Sequence, residues 1–357
     1  MTSKRTPMRY LAAAVVALSL CYGPLSAQGN EPGDLRMRTF HVSIEPSLSS
    51  QFGHTTYFFD LSASSSTPGD ITYLASELEF PIDQFMVGGS VRLQSYLGNV
   101  EDWSLTLSGY RSISQPRGIM TDADWITIVG GFDGMWSYTE SDPEGTNTVL
   151  LFEFTKRVLE RRPHSFGLVA GFRWQRIVQD IDNFVGWQID YENPGSQRVT
   201  FEYDNVPAIY YRVTYLMPHA GAQAALRFSE AVSLDLRAAY ALTMADDYDD
   251  HIIRNKESTA DGTGSAFLAS LRGEWLLAQR KPGARPFIGV EAEFLTLKVE
   301  GDQKQFWYDD ETGFERNPQT GEIEEVVRVE RGTTISGLPH EFTSTQFRVG
   351  LRFGYRF

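Results

Sequence analysis

The end of the chain alternates without a break. Phe347, Val349, Leu351, Phe353, Tyr355 and Phe357 are apolar, and Gln346, Arg348, Gly350, Arg352, Gly354 and Arg356 lie between them. A period of two belongs to a β-strand with two unlike faces. The same pattern recurs upstream. Val232, Leu234, Leu236, Ala238, Tyr240 and Leu242 face one way, and Ser233, Asp235, Arg237, Ala239, Ala241 and Thr243 the other. Phe166 to Gln175 and Ile288 to Phe294 repeat it, with Arg173, Glu291 and Glu293 on the polar side. Charges inside an otherwise apolar strand belong on a wet, inward face, and the apolar face then meets lipid. Short spacers near 96–102, 159–164, 229–231 and 279–285 take turns with long ones near 59–71, 114–147, 181–206, 247–262 and 300–342. Short inner turns alternating with long outer loops predict an all-β fold, an antiparallel up-and-down transmembrane β-barrel of about ten strands. The strands are expected near 38–58, 72–95, 103–113, 148–159, 165–180, 207–228, 232–246, 263–278, 286–299 and 343–357.

Composition sharpens this picture. The chain has 23 Phe, 16 Tyr and 7 Trp in 357 residues, enough for aromatic girdles at two interfaces. Lys4, Arg5 and Arg9 precede the apolar run Leu11 to Leu20, and Ser26 and Ala27 precede Gln28, the order of a secretory signal. A lipoprotein anchor at Cys21 is the competing reading, with the bulky Leu20 against it. Cleavage after Ala27 leaves residues 28–357 as a single cysteine-free barrel domain, without disulfides or thiol chemistry. The expected location is the outer membrane of a Gram-negative cell. Barrels of about ten strands fill their interiors with side chains, which argues against a diffusion porin.

Two acidic clusters stand where strands pass into long loops: Met120-Thr121-Asp122-Ala123-Asp124-Trp125 and Asp246-Asp247-Tyr248-Asp249-Asp250-His251. In extended backbone, residues two apart share a face. Asp122 pairs with Asp124, and Asp247, Asp249 and His251 line up together. Unbroken alternation from Ser233 puts the second set on the inner wall; Pro116 and Gly118 interrupt the register before the first. Ring closure would then set a facing carboxylate pair opposite a His base with an Asp to orient it. Such a group activates water with neither a metal nor a covalent nucleophile. Solvated acidic loops are the plain alternative, and a calcium site is another.

With these residues assembled, the chain resembles the omptin family of outer-membrane proteases. Asp122-Ala123-Asp124-Trp125 is similar to the family's Asp-x-Asp-Trp, Asp247-Tyr248-Asp249-Asp250-His251 to its Asp-x-Asp-x-His, and Tyr211-Arg212 through Met217-Pro218 to a Tyr…Met-Pro stretch. The resemblance implies an endopeptidase facing the outside, with Asp122, Asp124, Asp249 and His251 catalytic. It implies substrate contacts at Asp247 and Glu140, and lipopolysaccharide contacts at Arg176 and Arg212. No cofactor is expected beyond a possible need for lipopolysaccharide. Cationic peptides or exposed protein loops are the expected substrates, favoured by a net charge of −14. The family's first-loop glutamate has no counterpart at Gln51 to Thr55, which puts strict dibasic cleavage in doubt. A non-catalytic adhesin or receptor barrel on the same frame is the alternative. The 300–342 loop, with Trp307, Tyr308 and Glu311, is either a lid on the groove or a partner-binding element.

Overall fold

The computed structural model describes residues 38–97, 100–161, 163–189, 198–278, 285–316 and 323–357. The expected signal segment 1–27, with Cys21, lies outside these residues. The chain forms β1 (Arg38–Ser62), β2 (Ile71–Pro81), β3 (Gln84–Leu97), β4 (Val100–Ser112), β5 (Met120–Ile128), β6 (Asp133–Arg161) and β7 (His164–Gln188). It continues with β8 (Val199–Tyr203), β9 (Ile209–Arg227), β10 (Val232–His251), β11 (Lys256–Leu276), β12 (Arg285–Trp307), β13 (Glu311–Arg316), β14 (Ile323–Val329) and β15 (Thr334–Arg356).

Antiparallel pairing runs right round and closes where β15 meets β1. β2 and β3 share one ring position along β1, and β4 and β5 share the next, so the ring has ten strands. The break between β2 and β3 has a local cause. Gly53 sits at φ 125° in β1, and its N–H donates to Asp83 Oδ1 at 2.7 Å, so β1 exchanges one partner for the other there. β8 extends β7 on the outer side, and β13 and β14 form a separate two-stranded hairpin.

Most segments expected as long loops are strand. β6 begins at Asp133, β10 runs to His251 and β11 starts at Lys256, so the turn between the last two is four residues long. Above the lipid, neither face has to be apolar. Lys256 to Gly262 therefore shows no alternation, yet it pairs residue by residue with β10 and β12.

The outer wall carries exposed apolar side chains at Ile44, Leu48, Val91, Leu107, Leu168, Tyr240, Leu242, Val290 and Leu351, the belt a barrel presents to lipid. Inside that belt the lumen is ionic. Arg352 meets Glu45 at 2.5 Å, Arg348 meets Glu291 at 2.6 Å, Arg173 meets Glu293 at 2.6 Å and Arg237 meets Glu153 at 2.5 Å. Higher up the lumen turns apolar. Tyr57, Leu78, Phe80, Met120, Tyr215 and Phe342 are fully buried, and Phe80 stacks on Tyr211 from across the barrel at 4.0 Å. These side chains plug the barrel and form a floor beneath the two acidic clusters.

Candidate active site

The groove is built by strands on opposite walls. β10 leaves the belt at Leu242 with its odd-numbered residues inward, so Asp247, Asp249 and His251 all project into the lumen and are buried. On β5, Asp122 lies opposite the inward Leu78 and Asp124 opposite the inward Ser76, which puts both carboxylates on the lumen side. Their strands are the third and seventh of the ring, separated by β6, β7 and β9, and they face each other across the mouth.

His251 Nε2 lies 2.8 Å from Asp249 Oδ2, leaving Nδ1 for other work. Burial is the main influence on His251 and lowers its pKa from 6.5; Asp249 pulls the other way, and Lys256 adds to the lowering. The imidazole is therefore neutral at pH 7. Burial first, and the Asp124 charge second, push the Asp122 carboxyl well above its usual range. Burial also raises Asp124, against a hydrogen bond from Ser76 and the charges of Arg254, His251 and Lys256. Two such carboxyls share a proton more readily than they ionise together. Each wall also feels the other, since Asp249 raises Asp122 and His251 lowers Asp124.

Asp247 sits beneath the dyad. Its Oδ1 accepts the Ala260 N–H at 2.9 Å, and its Oδ2 lies 3.7 Å from His340 Nε2. Burial drives the Asp247 carboxyl up and the His340 imidazole down to about 3. His340 packs against Tyr57 and Phe342 with ring centres 4.5 and 4.1 Å away. Gln303 Nε2 donates to the Tyr57 hydroxyl at 2.7 Å, which leaves the hydroxyl proton to serve another acceptor. Burial is the chief reason the Tyr57 pKa is raised, and Asp249, Asp247 and Asp122 all add to it. Tyr57 thus stands among the carboxylates.

Glu140 is not in the groove. It pairs with Thr121, one residue out of phase with Asp122, so it projects from the outer face, where the Tyr138 hydroxyl donates to it at 2.9 Å. Arg176 and Arg212 share a patch on the outer wall of neighbouring strands. Val178 is opposite Arg212 and Thr214 opposite Arg176, and the Arg212 guanidinium lies 5.3 Å from the Tyr248 ring centre. Tyr57, His340 and Lys256 were not anticipated. Tyr57 and His340 are single residues on strands remote from the acidic clusters, marked only by inward parity, whereas Lys256 opens the strand beside β10, directly opposite His251.

The model of the omptin family matches residues 70–272, more than half of the chain and both acidic clusters. The chain belongs to the omptin family. The crystal structure of outer membrane protease OmpT from Escherichia coli superposes with a TM-score of 0.62 over 88% of this chain and 96% of that one, at 14% identity. That likeness shows the fold, a closed antiparallel β-barrel. A FadL homologue from Pseudomonas aeruginosa covers 89% of this chain and 90% of its own at 9% identity, but its TM-score of 0.22 carries no argument. No curated protein matches the sequence.

In this omptin the segment Tyr308 to Glu311 clamps the turn that follows His251. Asn255 adopts the left-handed φ of 52° that asparagine tolerates. Its amide donates to the Asp310 carbonyl at 2.8 Å, and its own carbonyl accepts from Tyr308 N at 3.0 Å. The Tyr308 hydroxyl donates to Asp250 at 3.1 Å, and Arg254 Nε donates to Glu311 at 3.1 Å. Asn255→Ala removes the amide contact and strains the φ. Amide exchange at 249–256 is expected to accelerate about tenfold, while exchange in the belt strands stays as it was; unchanged exchange at the turn would show the clamp to be idle.

Proposed function

We propose that this omptin is an outer-membrane endopeptidase, its groove facing the outside, and that water is its nucleophile. The observation that carries the reading is the Asp249–His251 pair at 2.8 Å with the Asp122–Asp124 pair facing it from the opposite wall, above the apolar plug. His251 takes the proton of a water held between the walls as that water attacks the scissile carbonyl. Asp249 holds the imidazole in its working tautomer and stabilises the imidazolium that forms. The protonated member of the acid pair holds the water, and His251 then returns its proton to the departing amine. Asp247 supplies a single acid beneath the scissile bond, beside the neutral His340, and an entering cationic side chain would stabilise its ionised form against the burial that raises it. This favours Lys or Arg next to the cut without a second acidic wall, and so implies basic preference without strict dibasic cleavage. The Arg176 and Arg212 patch on the outer wall supports a contact with lipopolysaccharide phosphates there. The β13–β14 hairpin, separate from the ring, favours a second reading as a surface-binding barrel.

The deciding experiment refolds the barrel with and without lipopolysaccharide and offers a fluorogenic peptide library rich in Lys and Arg. Asp122→Ala and His251→Ala run in parallel, with heat-modifiable gel mobility as the fold control. Cleavage beside basic residues that falls by at least about 10³-fold in both variants establishes the reading. A folded wild type that cleaves nothing under either lipid condition removes it and leaves the binding barrel.

A further inference from the structure

Lys256 is a buried cation in the groove wall. It is the direct cross-strand partner of His251, and the two side chains point the same way into the lumen. Directly opposed β-carbons in an antiparallel pair lie about 4.5–5.5 Å apart. The charges of Asp249 on its own wall and of Asp124 on the facing wall both act on the Lys256 ammonium. On the far side, Lys256 pairs with Trp307, and its ammonium lies 5.9 Å from that ring's centre. Ile209, His251, Lys256 and Trp307 thus make one rung across the groove wall. Glu311 is already engaged by Trp307 Nε1 at 2.7 Å and by Arg254 at 3.1 Å, which holds it to the loop root.

We propose that Lys256 is a further catalytic residue, the cation that receives the negative charge developing on the carbonyl oxygen of the scissile bond. This rests on the peptidase reading and deepens it. As water attacks, the carbonyl π pair moves onto oxygen while the water proton passes to His251. The Lys256 ammonium donates a hydrogen bond to that oxyanion without transferring its proton. On collapse the oxygen pair re-forms the carbonyl, the C–N bond breaks, and the amine leaves with the proton from His251. The general base and the oxyanion donor then stand side by side on one rung, so a carbonyl carbon in front of the rung is in reach of both. A pre-placed charge aimed at the developing oxyanion is among the strongest catalytic devices a site can hold.

The groups facing Lys256 are Asp249 and His251 on β10, Arg254 in the turn, Asp124 and Asp122 on β5, and Glu311 at the loop root. Burial and Arg254 lower the lysine to about 8, against the pull of Asp249, Glu311 and Asp124. The ammonium is the working form, so activity is present below that value and is lost as pH rises through it.

The test measures hydrolysis by wild type, Lys256→Gln, Lys256→Arg and His251→Ala in the refolded barrel, together with inhibition by a phosphinic pseudopeptide whose anionic phosphinate mimics the tetrahedral oxygen. Lys256→Gln is expected to lose about 10²–10³-fold in kcat with KM nearly constant. Phosphinate affinity should weaken by the same factor, and Lys256→Arg should restore most of both. The alkaline limb near pH 8 should move upward in Lys256→Arg. A Lys256→Gln enzyme that keeps kcat within about threefold, or binds the phosphinate as wild type does, overturns the proposal and leaves His251 catalysis standing. A lysine serving only as counter-ion to the acid pair would shift the acid limb and spare phosphinate affinity, which also overturns it. A folded wild type without turnover removes the peptidase reading itself, and this role with it.

Discussion

Asp249→Asn is expected to lower kcat by about 10³–10⁴-fold while the barrel folds and substrate still binds. The effect comes from one proton. His251 Nε2 lies 2.8 Å from Asp249 Oδ2, so the carboxylate favours the tautomer with its hydrogen on Nε2 and leaves Nδ1 as the free base. An asparagine at this fully buried position offers either a carbonyl or an amide N–H. The amide form forces the hydrogen onto Nδ1, where it blocks the base. The carbonyl form keeps the tautomer but withdraws the charge that stabilises the imidazolium. Because the two residues act as a unit, the Asp249→Asn/His251→Ala double variant should fall no further than His251→Ala alone. The pH profile gives an independent check. The base works unprotonated, so activity rises as pH rises through the His251 pKa, which burial holds below 6.5. Losing Asp249 removes the largest influence raising that pKa, so residual activity in Asp249→Asn should have its acid limb at still lower pH. An Asp249→Asn enzyme within about tenfold of wild type would remove Asp249 from the chemistry.

How much of this was legible in the sequence depended on lipid. Where a strand crosses the belt, its alternation is enforced by hydrocarbon outside and charge inside, and Ser233 to Thr243 or Gln346 to Phe357 can be read straight off. From Leu242 the same period carried forward to Asp247, Asp249 and His251, because no proline or glycine interrupts β10. Above the belt that enforcement ends. The stretches 114–147 and 247–262 looked like loops because their strands are polar on both faces, although hydrogen bonds continue along them. Glu140 was misplaced for a related reason. Its neighbourhood is acidic whichever way it points, and one residue of phase separates the groove from the outer wall. His340 and Tyr57 come from β15 and β1, which close the ring, so only closure brings them beside Asp247. Lys256 was hidden by the shortness of the turn: a segment read as a 247–262 loop concealed a rung that places it directly opposite His251.

The ionic lumen yields the second large effect, on stability rather than turnover. Arg348→Ala should destabilise the barrel by about 3–5 kcal/mol, the usual result of removing one partner from a buried charge cluster. Arg348 donates to Glu291 at 2.6 Å and to Glu293 at 3.2 Å, and its guanidinium lies 3.7 Å from the Tyr110 ring centre. Alanine withdraws all three contacts at once. The carboxylates are not left alone, since Arg173 still holds Glu293 at 2.6 Å and Arg352 approaches Glu291 at 3.6 Å. The loss should therefore fall towards the lower end of that range. The attraction in such a cluster mainly offsets the cost of stripping water from its ions. Neutralising the stranded acids should then restore stability: Arg348→Ala/Glu291→Gln is expected to recover at least about half of the loss, although it has one charge fewer still. Urea midpoints in lipid vesicles, followed by heat-modifiable mobility, would measure both. A triple contact worth less than about 1 kcal/mol would show that water readily fills the space Arg348 leaves. Turnover per folded molecule should be unchanged in either variant, because the apolar plug of Tyr57, Phe80 and Tyr211 separates this network from the groove.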